Sequence, residues 1–313
     1  MSDQKIAFLF PGQGSQAVGM GRDLAEKFTI ARDTFAEADA ALGYSLSKLC
    51  FEGPAEQLKQ TEFTQPAIFA VSMAAYRVLA SRGVEPQIAA GHSLGEYAAC
   101  AAAGVMSFAD AIRALQSRGK FMQEAVPEGQ GAMAAILGLD ADAVRSVCEA
   151  AAKETNEVVS PANLNSPEQT VISGSAAGVA RATELAKEKG AKKVVPLQVS
   201  APFHCALMQP AQERLAAVLK KIEVRDPRFS IVSNVTADVT RRGGRERDLL
   251  IEQVTAPVRW VESMRCMLDA GASTFVEVGP GKVLTGLLRQ IDRALKCVNV
   301  EDAASLDKAL TGS

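Results

Sequence analysis

Apolar and polar positions along the chain switch between two periods. KIAFLF (5–10) is an apolar run of strand length closed by PGQG, and from Arg22 to Leu42 apolar residues recur three and four apart, as on one face of a helix. The opening therefore reads as strand, glycine-rich turn, helix. A second helical stretch over 66–83 opens with Pro66 near its first turn and ends at Gly83. QIAAGHS (87–93) reads as a brief strand running into an alanine-rich helix over 94–106, whose small side chains allow a close backbone approach.

Beyond residue 128 the pattern changes. Residues 132–139 read as a strand, 140–154 as a helix capped by Asp140, and 157–164 and 170–174 as two strands joined by the turn NSPEQ. A helix over 176–190 ended by Gly190 and a strand over 192–199 complete the order β-α-β-β-α-β. That is the ferredoxin-like split unit, and about seventy residues is the right size for one. Strand character resumes at 229–235 and 273–281, so the unit reads as inserted into a larger α/β domain. The expected division is a large domain of residues 1–127 and 199–313 around a small domain of 128–198. The charge cluster RRGGRERD (241–248) reads as a solvated hairpin or loop, with a docking patch as the alternative.

A length of 313 residues fits two domains, and a chain that is 48% hydrophobic and 22% charged has the composition of an ordinary globular protein. Against 36 Asp and Glu stand 34 Lys and Arg, with no basic stripe interleaved with aromatics, which argues against nucleic acid as a partner. The N-terminus turns apolar only at Ile6 and for too few residues to be a signal core or a spanning segment. The expected setting is the cytoplasm, with no membrane contact. Six scattered cysteines, with no CxxC and no short-spaced histidine, fit reduced thiols better than disulfides or zinc. With only two histidines, a metal enzyme is not expected.

GHSLG (91–95) satisfies GxSxG between a short strand and a helix, the context that gives this motif its meaning. At such an elbow Ser93 is exposed on a strained turn, and Leu94 offers its backbone N–H at a helix N-terminus, where a developing oxyanion is favoured. A serine needs a base within reach. His92 is its chain neighbour and points away from it on a tight turn, which leaves His204 as the candidate base. Arg118 falls on the apolar stripe formed by Phe108, Ala111, Ile112, Leu115 and Met122. A guanidinium facing a core must find an anion, which is either an acid elsewhere in the chain or a substrate carboxylate gripped by two hydrogen bonds. GQGSQA (12–17) matches a dinucleotide fingerprint, but the acids at the required distance, Glu37 and Asp39, lie in a helical stretch. The same loop can present the Gln13 N–H to an oxyanion.

Taken together, FPGQGSQ (10–16), TQPAIFA (64–70), GHSLGEYAA (91–99), SRGKFMQ (117–123), ANLNSPEQTVISG (162–174), SAPFHCALM (200–208), Gln253 ahead of APVRW, and EVGPGKVLTGLLRQI (277–291) resemble the malonyl-CoA:acyl carrier protein transacylases of fatty-acid synthesis, nearly end to end. The resemblance implies an α/β-hydrolase-like core carrying a ferredoxin-like insertion. It implies a ping-pong transfer in which Ser93, with His204 as base, takes malonyl from malonyl-CoA and passes it to the phosphopantetheine thiol of an acyl carrier protein. Gln13 and Leu94 would supply the oxyanion N–H pair and Arg118 the carboxylate clamp. Gln253 would lie beside the histidine, whose ring a backbone carbonyl orients in place of an acid. Phe203 would crowd a 2-methyl group, and His92 and Asn163 complete the expected substrate-binding residues. No cofactor is implied, the two thioester partners being substrates, and a monomer is expected.

Two other classes compete for the same features. A serine hydrolase is what GxSxG alone would favour, against which stand the absence of an HGGG-like loop and an arginine that an ordinary acyl group would leave unpaired. A non-catalytic nucleotide-binding module using GQGSQA is the other.

Overall fold

Lys5–Phe10 forms the first strand of the computed structural model, which describes residues 5–311, and its Ala7, Phe8, Leu9 and Phe10 are wholly buried. An apolar run of this kind suits a central strand covered on both faces, not an alternating edge. Among the described residues ten strands follow in the order β1 (Lys5–Phe10), β2 (Ile88–Gly91), β3 (Gly131–Leu137), β4 (Val159–Ser166), β5 (Gln169–Ser175), β6 (Lys193–Pro196), β7 (Ser230–Val232), β8 (Val239–Thr240), β9 (Ala272–Val278) and β10 (Cys297–Val300). They form two sheets in an α/β fold. The larger has the order β10-β9-β1-β2-β7-β8 and is parallel except for the β7–β8 pair. The smaller, β4-β5-β3-β6, is antiparallel throughout.

The helices Ala141–Thr155 and Ala176–Glu188 connect β3 to β4 and β5 to β6, and pack their apolar faces on the small sheet around Ile136, Val147 and Ile172. The Asp140 side chain caps the first of them by accepting from Ala143 N at 2.8 Å. The small sheet is stitched to the rest through β4: Leu164 N donates to the Val258 carbonyl at 2.9 Å and Val258 N to the Ala162 carbonyl at 2.8 Å. Apolar clusters fill both faces of the large sheet, one of them around Trp260, Met264 and Phe275.

Several boundaries depart from the sequence reading. The helical stretch 22–42 is two helices, Arg22–Lys27 and Thr29–Leu42, because Phe28 is extended. Phe28 closes the first helix with its N–H and opens the second with its carbonyl, while its ring packs on the core. The helix read from residue 66 begins at Thr61, so Pro66 lies in its second turn and not at its start. The proline costs that helix only the one bond to the Glu62 carbonyl. The strand read to 199 stops at Pro196, and the helix read to 106 stops at Ala102.

The largest correction concerns RRGGRERD. Only Arg241 and Arg242 are exposed loop: Gly243–Glu252 is a helix, and Glu246 within it is fully buried. The periodic apolar positions Leu249 and Leu250 lie beyond the charge run and carry the helix inward, so charge density alone misjudged the segment. No helix among the described residues is long and apolar enough to cross a membrane.

Candidate active site

β2 ends at Gly91 and the helix Gly95–Ala102 starts four residues later, which leaves Ser93 on the corner between them with φ at 52°, in the left-handed region. Both glycines of the motif are required by contact. A Cβ on Gly91 would lie 1.9 Å from the Gly95 carbonyl carbon, and one on Gly95 would lie 2.2 Å from the Phe10 carbonyl oxygen. A left-handed serine costs on the order of 1–3 kcal/mol and persists only where its surroundings hold it. Here Asn234 does so: its Oδ1 accepts from Ser93 N at 2.8 Å and its Nδ2 donates to the Gly91 carbonyl at 2.7 Å.

His204 Nε2 lies 2.8 Å from Ser93 Oγ, and its Nδ1 lies 2.8 Å from the main-chain oxygen of Gln253. A carbonyl only accepts, so Nδ1 carries the proton and Nε2 presents its lone pair to the serine hydroxyl. Burial, and next the Arg118 guanidinium, hold the ring's pKa down to about 3, which keeps the imidazole neutral. His92 points elsewhere, as expected from the turn. Its Nε2 meets Asn165 Oδ1 at 2.9 Å and its ring lies tilted on Trp260, with centroids 5.3 Å apart.

Arg118 is 1% exposed, and its guanidinium is held by neutral groups. Nη1 donates to Gln65 Oε1 at 2.9 Å, and Nη2 to Gln253 Oε1 at 2.9 Å and to Ser93 Oγ at 3.0 Å. Among the described residues no carboxylate forms an ion pair with it, so the structural ion pair left open by the sequence is not what occupies this arginine. The helix Phe108–Glu124 brings Arg118 here by packing tightly on the helix from Thr61: a Cβ on Gly119 would lie 2.5 Å from the Thr61 carbonyl.

A cavity of about 370 Å³ opens over these groups. Gln13, His92, Leu94, Asn163 and Phe203 all line it with Ser93, Arg118 and His204, so of the residues singled out in the sequence only Gln253 lies off its wall, fully buried behind it. The backbone N–H groups of Gln13 and Leu94 have no hydrogen-bond partner among the described residues. Met122 and Met133 add apolar wall, and Leu197 to Val199, the stretch that leaves β6 early, add the rest of the small sheet's side. The glycine loop from residue 12 is followed by turns, and the next helix starts only at Arg22, so no helix N-terminus stands behind GQGSQA to receive a dinucleotide.

Four residues of the site carried no role in the sequence reading. Glu96, Asn234, Gln65 and Asn165 are polar and at most 8% exposed, and each holds a group named above. Glu96 Oε2 accepts from Gln253 Nε2 at 2.6 Å and from Asn234 N at 3.1 Å. The available signal for Glu96 was its place, three residues after the serine on an otherwise apolar helix, where an acid is out of pattern.

The acyl transferase domain family matches residues 7–309. The malonyl CoA-acyl carrier protein transacylase of Bacillus subtilis is 49% identical over 98% of this chain and 96% of its own, and that of Escherichia coli K12 is 50% identical over 98% and 99%. Among solved structures, the malonyl CoA-acyl carrier protein transacylase of Coxiella burnetii superposes with a TM-score of 0.96 at 44% identity, covering 98% of this chain and 97% of that one. A malonyl-transacylase determined in complex with its type II PKS acyl-carrier protein gives 0.96 at 46% identity, covering 99% and 100%. With a family match over nearly its whole length and relatives at half identity, the chain belongs to the malonyl CoA-acyl carrier protein transacylases.

Proposed function

We propose that the protein transfers a malonyl group from malonyl-CoA to the phosphopantetheine thiol of an acyl carrier protein, through an ester on Ser93. The observation that carries the donor's identity is Arg118, a buried guanidinium with no carboxylate partner, touching the nucleophile. The free carboxylate of a malonyl group is two carbons from the thioester carbonyl. With that carbonyl at Ser93 Oγ, the carboxylate falls within reach of the guanidinium, which then gains a carboxylate bonded directly to it.

In the first half-reaction His204 Nε2 takes the hydroxyl proton as Ser93 Oγ bonds to the thioester carbon. The C–S bond breaks and the proton passes to the departing sulfur. In the second, the carrier thiol gives its proton to Nε2 and attacks the ester, and Ser93 leaves with that proton. The Gln13 and Leu94 N–H groups face the oxygen on which charge develops. Phe203 crowds a 2-methyl group, a discrimination worth about 1–3 kcal/mol. His92 and Asn163 wall the acyl group, and Gln253 holds Arg118 with its side chain and His204 with its backbone. On this reading the protein works as a cytoplasmic monomer without a bound cofactor.

The same reading assigns residues 1–127 and 199–313 to an α/β-hydrolase-like catalytic domain and 128–198 to a ferredoxin-like one. The strand order of each sheet supports this, as does the serine elbow at the end of a central parallel strand.

Intact-protein mass spectrometry after mixing with malonyl-CoA tests the function. The expected result is a malonyl adduct that is absent in Ser93→Ala. Steady release of free CoA without adduct would instead identify a hydrolase, and neither adduct nor release would overturn the acyl-transfer reading.

A further inference from the structure

Behind the serine elbow lie two carboxyl groups that the transfer chemistry does not use. Glu96, on the helix after Ser93, and Glu246, on the helix Gly243–Glu252, are both fully buried and are neighbours: Glu246 Oε1 accepts from the thiol of Cys100 at 3.6 Å, and Cys100 stands one turn after Glu96 on the same helix face. Two ionised carboxylates can only accept, so neighbouring carboxyls in an interior are relieved of their repulsion when one proton lies between them. The remaining contacts say where it sits. Glu96 Oε2 already accepts from Gln253 and Asn234, and both oxygens of Glu246 accept, Oε2 from Thr240 Oγ1 at 2.6 Å and Oε1 from Cys100 Sγ at 3.6 Å. Glu96 Oε1 alone has no donor directed at it, although it is wholly buried. It is the one oxygen of the four free to carry a proton toward the other group.

Charge makes the same demand. Arg118 is buried with only neutral partners, and Glu96 is one of the two groups whose field favours its charged form, the other being Tyr97. Two negative charges side by side in this interior would repel strongly, and none would leave the guanidinium without a counter-charge. Burial first, and next the field of Glu246, push the Glu96 carboxyl well above its usual range, and burial also raises Glu246. The other ionisable groups facing the pair are Tyr97 and Cys100 on the helix of Glu96 and Arg245 on that of Glu246.

We infer that Glu96 and Glu246 share a single proton, and that the resulting monoanion is a positioning pair that fixes the Gln253 amide and, through it, Arg118 beside Ser93. Glu96 adds the one charged acceptor to the groups that orient the Gln253 amide, the Ser93 carbonyl and the Arg118 guanidinium favouring the same orientation. With Nε2 donating to Glu96 Oε2 and to the Ser93 carbonyl, Oε1 is left facing the guanidinium. The flipped amide would point N–H groups at Arg118 and a carbonyl at Glu96. Glu246 thus acts on the donor site without touching it.

Infrared spectroscopy of the full-length protein at neutral pH tests the shared proton. The difference spectra of wild type against Glu96→Gln and against Glu246→Gln should each contain the carbonyl band of one protonated carboxyl, since removing either member leaves the other ionised and paired to an amide N–H. A spectrum lacking that band, or a band lost in Glu96→Gln but kept in Glu246→Gln, would overturn the sharing. The positioning role rests on the malonyl reading, and acylation by malonyl-CoA and acetyl-CoA tests it. Glu96→Ala should lower the malonyl-to-acetyl rate ratio about tenfold, the equivalent of one lost charge-assisted hydrogen bond. Glu96→Gln should restore the ratio, because its amide can accept from Gln253 and donate to Glu246. Equal losses for both donors would reduce the pair to a structural element. Failure of wild type to take malonyl would refute the donor and still leave the shared proton to be decided by its spectrum.

Discussion

Arg118 Nη2 stands 3.0 Å from Ser93 Oγ, so a permanent cation shares the nucleophile with the base. On the proposed mechanism the contact holds the hydroxyl oxygen while His204 withdraws its proton, and a substrate carboxylate arriving at the guanidinium would compete for the same N–H. Binding the donor's carboxylate and releasing the serine for attack are then one event.

Arg118→Ala should therefore depress malonyl-serine formation by about 10²-fold or more, near 3 kcal/mol, while sparing or improving acetylation. Arg118→Lys should not restore malonyl transfer, because a point charge cannot satisfy Gln65, Gln253 and a carboxylate at once. Adduct formation with each donor, followed over time by mass spectrometry, gives both rates. Equal loss for the two donors would assign Arg118 a structural role.

The folded His204 has its pKa pushed down to about 3 by burial and by Arg118, against about 6.5 in an unfolded chain. Between those values the unfolded chain binds the proton and the folded one does not, so His204 contributes stability above pH 6.5 and loses it as pH falls toward 3. His92, lowered by burial, acts in the same direction. From pH 6.5 to 5 the loss from His204 reaches about 2 kcal/mol, at about 1.4 kcal/mol per pH unit. Melting of wild type beside His204→Gln isolates it from the buried glutamates, and the variant should lose less on acidification. Acylation should meanwhile lack an acid limb near pH 6.5, since the base is already neutral there.

Gly91→Ala should abolish soluble folded protein or lower its stability by more than about 4 kcal/mol, because its Cβ would sit 1.9 Å from backbone that cannot yield. Gly14→Ala meets nothing within 4 Å and carries only the strain of its φ of 105°, about 1–3 kcal/mol. Thermal melts of the two variants should separate close approach from backbone strain.

How far the sequence could be read follows from what each signal depends on. The strand, elbow and helix around Ser93, and the order of strands and helices from 131 to 196, rest on local periodicity and on glycines with a steric duty, and the structure has them in those places. Arg118 was recognisable because a charge on an apolar stripe breaks a local pattern. Helix starts were misplaced where tertiary packing overrode a local cue, as with Pro66 inside its helix and Phe28 extended between two. Glu246 was hidden for a stronger reason. Its burial depends on Glu96, Cys100 and Thr240, two of them about 150 residues away, and its neighbours Arg245 and Arg247 make the segment look solvated. Gln65, Asn165 and Asn234 are amides that short-range patterns do not distinguish from surface residues.

The partner that orients His204 is a main-chain oxygen, and this changes what mutagenesis can see. Replacing Gln253 by any other residue leaves a carbonyl at that position, so side-chain truncation there reports on Arg118 and not on the base. A scan that swaps side chains one at a time would pass over this contact altogether. Only an edit of the backbone itself, such as an ester in place of the peptide bond after residue 253, would weaken that acceptor and reveal how much of the histidine's alignment it supplies.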